Sequence, residues 1–352
     1  MKTCAERNVN GLRSSAIVGL FLALLAGLSS AAFAQATVRT APESSWPAVL
    51  DAARKEGSVT LYTQIVPSIN DRIKADFAKA YPGITLELVR ITGNSILTKL
   101  DQERQSGSDG GDVAITVELL WLEDRVKEGN LRKPVGPSRQ AWPARYLLSD
   151  TIPVLSLEPL VMAYNTSIAK SPVTGYQDLL RPEFKGRLGT TGVQALSIVA
   201  WYEWLEKTQG GDFLAKLASQ GPRVYTGAVP NAQAVASGEI GATAFSVPAA
   251  VMQLIETGAP VKLVIPNPAL GIRWGAGIVA GSRRPNASQV LMDYLMSPRG
   301  QTAWHSRGES ASPLPKIPGS ADVNSIQAFD PSVYNANSIA DYKKKWDVIF
   351  SK

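Results

Sequence analysis

Two short loops of the 352-residue chain combine glycine with hydroxyl and amide side chains directly before predicted helices. The first loop, "TGNS", contains Thr92, Gly93, Asn94 and Ser95, and the second, "TTGVQ", contains Thr190, Thr191 and Gly192. The backbone N–H groups and the dipole at a helix start favour an anion. Facing each other across a cleft, the two loops would bind a carboxylate or a phosphate-like group. Alternatively, each loop caps its own helix.

A basic and an aromatic side chain stand next to each other in the segment "GIRWGAG", which reads as a buried strand. The guanidinium of Arg273 would make a paired contact with a solute carboxylate, and the indole of Trp274 would stack on a planar solute. The alternative is a surface arginine beside a packed tryptophan.

Further polar candidates follow predicted strands. Tyr62, Thr63 and Gln64 come after the first strand, although Tyr62 could equally pack in the core. Glu118 ends the third strand and Glu158 lies in an extended crossing segment, and either could receive a cationic group. For Glu158 we favour a solvated edge or an ion pair between lobes.

The segment "GEIGATAFSVPAAV" predicts a strand followed by a helix that begins at a serine and a proline. Strand ends of this kind often hold a ligand. Phe245 and Ser246 are therefore predicted to offer a small hydroxyl beside an apolar wall, on which an organic solute could rest. Tyr225, in the predicted strand "RVYTG", is a further binding candidate.

Several kinds of chemistry lack the residues they need. A serine nucleophile requires a nearby base, and the single histidine, His305, falls in a helical stretch far from any strand end. A hydrolase would have to use Glu118 and Glu158 as a carboxylate pair. No His, Cys and carboxylate cluster has the spacing of a metal site. We therefore predict no catalytic residue, no metal and no cofactor.

The first 34 residues have the layout of a cleaved secretory signal: basic side chains, an apolar run and the small-x-small triad at 32–34. The strongly apolar part, 16–28, has 13 residues, whereas a membrane anchor needs about 20. Residues 1–34 are thus predicted to be removed. Cys4, the one cysteine, leaves with them, so no disulfide or thiol chemistry remains.

The formal net charge of +6 comes from scattered side chains, and the densest basic run, "YKKKW", falls in a predicted terminal helix. A nucleic-acid partner is therefore not predicted. Without residues 1–34, the mature chain would have 318 of the 352 residues. This exceeds the size at which a single hydrophobic core usually stops growing, which favours two lobes.

Strand and helix patterns alternate along the chain. "GSVTLYTQI", "ITLELVRITG" and "GDVAITVE" each precede a helical segment, and a second series runs from "ALSIVAWYEWLEK" to "VKLVIP". This order predicts an α/β fold with a mixed sheet flanked by helices in each lobe. Lobe 1 is predicted at 35–157 and 266–352 and lobe 2 at 158–265, with the ligand cleft between them.

These segments resemble the type 2 periplasmic solute-binding proteins of ABC importers. The resemblance rests on "VTLYT", "GDVAITVE", "LVMAYNTS" and above all "YQDLLRPEFKGRLG", and extends to the cluster of ferric-ion-, thiamine-, polyamine- and phosphonate-binding members. It implies a monomeric periplasmic receptor, not an enzyme, whose two lobes close on a small-molecule solute. The closed form would dock on the permease and ATPase subunits at the inner membrane. A signalling subunit is an alternative.

Ferric-ion-binding members of this cluster carry adjacent tyrosines after a comparable "G-E-x-A" segment. Here positions 245–248 read "FSVP", and none can be a phenolate. Iron bound in that family's usual way is therefore not predicted, and a small anionic organic solute is. Iron held by a non-standard set drawn from Tyr62, Tyr202 and Tyr225 remains an alternative.

Overall fold

The computed structural model describes residues 45–91, 95–335 and 337–350. The predicted signal peptide, 1–34, lies outside these residues, as do Thr92, Gly93 and Asn94. No helix within the described ranges is both long and apolar enough to cross a membrane.

Helices cover both faces of two sheets. In the described residues the α-helices are α1 Trp46–Glu56, α2 Pro67–Ala80, α3 Ser95–Ser106, α4 Leu119–Lys127, α5 Pro137–Ala141, α6 Leu196–Gln209, α7 Phe213–Ser219, α8 Ala228–Ala236, α9 Pro248–Glu256, α10 Pro285–Met296, α11 Pro298–His305 and α12 Ser338–Phe350. The strands are β1 Ser58–Thr63, β2 Thr85–Arg90, β3 Val113–Thr116, β4 Leu131–Arg132, β5 Val154–Pro159, β6 Val161–Asn165, β7 Leu188–Thr191, β8 Arg223–Tyr225, β9 Ala242–Ser246, β10 Val261–Val264, β11 Ala269–Val279 and β12 Ile326–Ala328.

The first sheet has the order β12-β11-β3-β1-β2, and β4 and β5 also pair with β11. Strand β1 runs parallel to β2 and β3, whereas β11 runs antiparallel to β3. Parallel neighbours require helical crossovers, which α2 and α3 supply. The carboxyl ends of β1, β2 and β3 consequently lie at one edge of the sheet.

The second sheet has the order β10-β6-β9-β7-β8. Strand β7 is parallel to β8 and β9, and β6 is antiparallel to β9 and β10. Helix α6 is buried on several sides because it packs between this sheet and α12. Trp201, Tyr202 and Leu205 of α6 are all fully buried.

The chain passes between the sheets at two adjacent places. Strand β5 of the first sheet is followed after one residue by β6 of the second, and β10 is followed by β11 of the first. The structure is thus α/β and two-lobed, with a mixed sheet flanked by helices in each lobe, as the sequence predicts. The exact lobe limits, 157/158 and 265/266, stay a prediction.

The C-terminal segment returns to the second lobe. Helix α12, expected within 266–352 of lobe 1, packs against α6 and α7. The rings of Tyr342 and Tyr202 stack with centroids 6.2 Å apart, and Lys345 Nζ lies 2.7 Å from a Glu206 carboxylate oxygen. Strand β12 pairs in parallel with β11 at the edge of the first sheet.

Candidate functional site

A cavity of about 600 Å³ lies between the two lobes. Its walls come from the carboxyl ends of β1, β2 and β3 on one side and of β7, β8 and β9 on the other. Strand β11 and the end of β5 form the floor. In open α/β sheets ligands bind outside the carboxyl ends of the strands, so this is where a solute is expected.

Five helices begin at this cavity. Their N-cap residues, all lining it, are Val66 (α2), Glu118 (α4), Ala195 (α6), Gly227 (α8) and Val247 (α9). None of these five N-cap residues caps its helix with a side-chain hydrogen bond. The positive ends of their dipoles therefore act on whatever occupies the cavity.

Three ionisable side chains line the cavity within the described ranges, and all three belong to the first sheet or its helices: Arg90, Glu118 and Glu158. Arg90 ends β2, and its Nε donates a hydrogen bond to the carbonyl of Ile65 at 2.9 Å. Burial lowers the pKa of Arg90, but a guanidinium remains charged at any physiological pH. Arg90 thus provides the cavity with a permanent cation.

The two carboxyl groups are held in apolar surroundings. Burial raises the pKa of Glu118. Glu158 is only 4% exposed, and its Oε2 accepts a hydrogen bond from the indole N–H of Trp274 at 3.0 Å. Burial raises the pKa of Glu158 to about 8 despite that hydrogen bond, and the nearby Glu309 carboxylate adds to the effect. This burial contradicts the solvated position expected for Glu158.

Apolar side chains make up much of the remaining wall. Phe245 and Val247 line the cavity from β9 and the start of α9, and Phe245 also packs edge-on against Trp201 at 5.1 Å. The predicted hydroxyl does not join them, because successive side chains along a strand face opposite sides. Ser246 is fully buried and donates from Oγ to the carbonyl of Ala228 at 3.1 Å.

The same alternation separates the predicted pair on β11. Ile272 and Trp274 face the cavity, whereas Arg273 lies on the opposite face, beside Leu157 of β5. The pKa of Asp330 is lowered mainly by hydrogen bonds from Ser332, and the positive charge of Arg273 lowers it further. The expected contact between Arg273 and a solute carboxylate is therefore not available in this structure.

Two residues predicted from the first lobe do not line the cavity, because their hydroxyl groups form hydrogen bonds within that lobe. Tyr62 donates its hydroxyl to Glu103 at 2.7 Å, and burial raises the pKa of this phenol. Thr63 is buried and accepts a hydrogen bond at Oγ1 from the N–H of Ile65. Ser95 is exposed at the start of α3 and does not line the cavity.

Of the residues predicted on β7, on β8 and in the loop after β7, Thr191 lines the cavity and the others do not. Thr190 is buried and its hydroxyl bonds that of Tyr202 at 2.9 Å. Tyr225 donates to Glu239 at 2.8 Å, and Gly192 lies outside the lining. Thr191 does line the cavity, while its Oγ1 donates to the carbonyl of Tyr225.

The structure brings six of the sequence-predicted residues to one cavity: Gln64, Glu118, Glu158, Thr191, Phe245 and Trp274. Gln64 accepts hydrogen bonds at Oε1 from the Thr116 hydroxyl at 3.0 Å and from the N–H of Val117 at 3.3 Å. These bonds fix the side-chain amide at the end of β1.

Sequence reasoning missed several lining residues. Arg90 stands at the carboxyl end of a correctly predicted strand, so the rule applied to β1 and β3 would also have found it. Ser197 lines the cavity from the first turn of α6, and Trp304 reaches it from α11. No local pattern in the sequence marks these last two, because long-range packing brings them there.

The three tyrosines named above as alternative iron ligands do not line this cavity. Tyr62 and Tyr225 are hydrogen-bonded to carboxylates, and the hydroxyl of Tyr202 is buried against the carbonyl of Thr191 at 2.6 Å. No group of three or more His, Cys, Asp or Glu side chains in the described part of the chain is placed to hold a metal ion.

Solved structures of similar fold are substrate-binding proteins. The substrate-binding protein of an ABC transporter from Agrobacterium tumefaciens matches with a TM-score of 0.74 and 16% identity, covering 85% of this chain and 97% of its own. The periplasmic binding protein AfuA from Actinobacillus pleuropneumoniae, with fructose-6-phosphate bound, matches with a TM-score of 0.63 and 17% identity over 84% and 99%. Iron-bound HitA from Pseudomonas aeruginosa matches with a TM-score of 0.59 and 20% identity over 76% and 89%.

At these identities the structural likeness establishes the fold alone. The sequence adds its own match: the model of the bacterial extracellular solute-binding protein family aligns with residues 72–331, well over half of the chain. The resemblance to type 2 periplasmic solute-binding proteins is thereby confirmed, and such proteins are not enzymes and act outside the cytoplasm. The chain belongs to the bacterial extracellular solute-binding protein family.

Proposed function

We propose that this protein is the periplasmic receptor of an ABC importer and that its solute is a small organic anion. The observation that carries the proposal is the cavity between the lobes, which Arg90 lines from the first lobe and at which five helices from both lobes begin. Each feature favours negative charge on the ligand.

The size and lining of the cavity support an organic solute. A volume of about 600 Å³ falls within the range of small-molecule sites. Phe245, Ile272 and Trp274 present apolar atoms to the non-ionic part of such a solute. A bare metal ion would use neither the volume nor the apolar walls.

The mechanism follows from the two adjacent chain passages between the lobes. The lobes can rotate about these passages, so a hydrated cleft opens to the solvent. A solute that contacts Arg90 in the first lobe and the start of α6 in the second has greater affinity for the closed state. It therefore shifts the population toward closure. The closed receptor then delivers the solute to the permease and its ATPase.

The structural relatives do not decide the solute class, since AfuA is described with a sugar phosphate and HitA with iron. The side chains of this protein favour the organic anion. Ferric iron bound by a non-standard set would have to recruit tyrosines that are engaged elsewhere.

A thermal-shift screen of residues 35–352 tests the proposal, because a ligand that binds only the folded state raises the unfolding midpoint. The panel contains dicarboxylates, sugar phosphates, phosphonates, ferric citrate, polyamines and thiamine. We expect an organic anion to give the largest rise, and Arg90→Met to abolish it. A rise with ferric citrate or with polyamines only would contradict the proposed solute class.

The same screen separates a receptor from a hydrolase built on Glu118 and Glu158. A receptor returns the stabilising solute unchanged after prolonged incubation, as chromatography would show. Conversion of the solute into products that is lost in Glu118→Gln would favour the hydrolase instead.

A further inference from the structure

Glu158 occupies a special position in the cleft. It is the second-last residue of β5, just before the chain crosses to the second lobe, and it lines the cavity although only 4% of it is exposed. Across the β5 and β11 ladder it lies opposite Ile272. A solute in the cavity therefore meets this carboxyl group at the junction of the two lobes.

No basic side chain in the described ranges forms an ion pair with Glu158. The indole N–H of Trp274, on β11, donates to its Oε2. The charged group that acts on it most closely is Glu309, in the segment after α11, and this second carboxylate is already paired with Arg72 of α2, whose Nη1 lies 3.0 Å from Oε1 of Glu309. Glu158 therefore has a like charge nearby and no cation of its own.

The other ionisable groups around the cavity do not change this balance. Arg90 of β2 and Glu118 of α4 line the same cavity without a hydrogen bond to Glu158. His305 of α11 is buried with its Nδ1 at the carbonyl of Gln301, and burial lowers its pKa to about 3, so it is neutral.

Elementary electrostatics then decides the state of Glu158. Removing a carboxylate from water without a compensating cation is unfavourable, and a neighbouring carboxylate makes it more so. The neutral acid is the stable form, in agreement with the pKa near 8. Because Oε2 accepts from Trp274, the proton resides on Oε1, where it makes the group a hydrogen-bond donor.

We propose that Glu158 selects the charge of the solute by acting as a carboxylic acid that donates a hydrogen bond from Oε1 to an anionic oxygen. This inference rests on the proposed function and names a residue that recognises the anion within that site. Once Glu158 loses its proton it repels the same oxygen, so solute binding is coupled to protonation of the receptor.

Calorimetric titration with succinate and with glycerol 3-phosphate, both fully ionised above pH 7.5, tests the coupling. The affinity of the wild-type protein should fall about twentyfold between pH 7.5 and 9.5, because only the protonated receptor binds. Glu158→Gln keeps a neutral donor but has no proton to release in this range, so its affinity, whatever its value at pH 7.5, should change little up to pH 9.5.

A second variant gives a readout that a structural role would not produce. The indole N–H of Trp274 stabilises the ionised form of Glu158. Trp274→Phe removes this donor, and the pH at which the affinity begins to fall should move upward. The proposal would be overturned if the affinity of both variants depended on pH in the same way as that of the wild type.

Infrared spectroscopy of the ligand-free protein examines Glu158 without any solute. The C=O band of a protonated carboxylic acid should be present at pH 7, disappear as the pH rises above 8 and be missing in Glu158→Gln. If anions bind but this band is absent at pH 7, the role of Glu158 is wrong and the proposed function stands. If putrescine binds, with an affinity that rises with pH, or if no anion binds, both are overturned.

Discussion

The two walls of the cleft are built differently. The first lobe contributes Arg90, Glu118 and Glu158, whereas no ionisable side chain of the second lobe is found among the described lining residues. The second lobe offers the hydroxyl group of Ser197, helix starts and apolar surface. One wall carries charge, and the other carries neutral donors.

This difference assigns a separate task to each lobe. Charged side chains act over a distance and discriminate strongly between solutes of opposite sign, so under the proposed function we expect the first lobe to select the solute. Neutral donors and apolar contacts act only at short range, so the second lobe adds affinity when the cleft closes. Changes to the first wall should accordingly have larger effects than changes to the second.

The largest expected effect concerns the stability of the charged wall. Below pH 4.5, the ordinary pKa of a glutamate, Glu158 is protonated in both the folded and the unfolded protein. Between pH 4.5 and about 8 only the unfolded chain releases this proton, so the free energy of unfolding falls as the pH rises. Urea denaturation should show Glu158→Gln to be more stable than the wild type by about 3 kcal/mol at pH 7, and equal to it at pH 4.

Glu309 provides the matched comparison. It is as deeply buried as Glu158, at 2% exposed, but it is paired with Arg72. Glu309→Gln removes the charged partner of the Arg72 guanidinium, which keeps its hydrogen bonds to backbone carbonyls, and should destabilise the protein at pH 7 by about 3 kcal/mol. The same substitution at two buried glutamates is therefore expected to have opposite signs, and equal signs would refute the neutral form assigned to Glu158.

Arg90→Met should weaken binding of the anion found in the screen by about 100-fold, because a charge-assisted contact is lost. Arg90→Lys keeps the cation but not the fork geometry and should lose less. Calorimetric titration measures both. If the affinity of the methionine variant lies within twofold of that of the wild type, the charge of Arg90 does not select the solute.

The neutral wall is expected to respond weakly. Ser197→Ala removes one hydroxyl in the first turn of α6 and should lower the affinity about threefold, the usual effect of one neutral hydrogen bond. A loss as large as that of Arg90→Met would break the distinction between the two walls.

The smallest effect is expected at the rim of the cleft. Arg307 and Glu256 form an ion pair between the lobes at 2.9 Å, and both side chains are 43% exposed. Water screens such a pair, so Arg307→Gln should change the free energy of unfolding by less than about 0.5 kcal/mol. A larger change in urea denaturation would indicate that the rim holds the lobes together.

The fold could be predicted from the sequence because local patterns encode it. The segments that form β1, β2, β3 and β9 are rich in β-branched and apolar residues, and a helical pattern follows each of them. The sequence therefore predicts that these segments are strands and that the site lies at their carboxyl ends. The patterns did not predict the short strands β4 and β12, both of which pair with β11.

The candidate site was predicted less well, for a geometric reason. Adjacent residues on a strand face opposite sides, so a prediction that includes both members of a pair contains one wrong member. Phe245 and Trp274 face the cavity, whereas Ser246 and Arg273 do not. Trp304 could not be found at all, since its position depends on how α11 packs.

The two ends of the described chain lie on different lobes. Helix α1 packs against α10 and β1 of the first lobe, and α12 packs against α6 and α7 of the second. Fluorescent dyes on exposed positions of α1 and α12 would therefore move with opposite halves of the molecule. Energy transfer between them would report each closure directly, which turns the receptor into an optical sensor for its own solute.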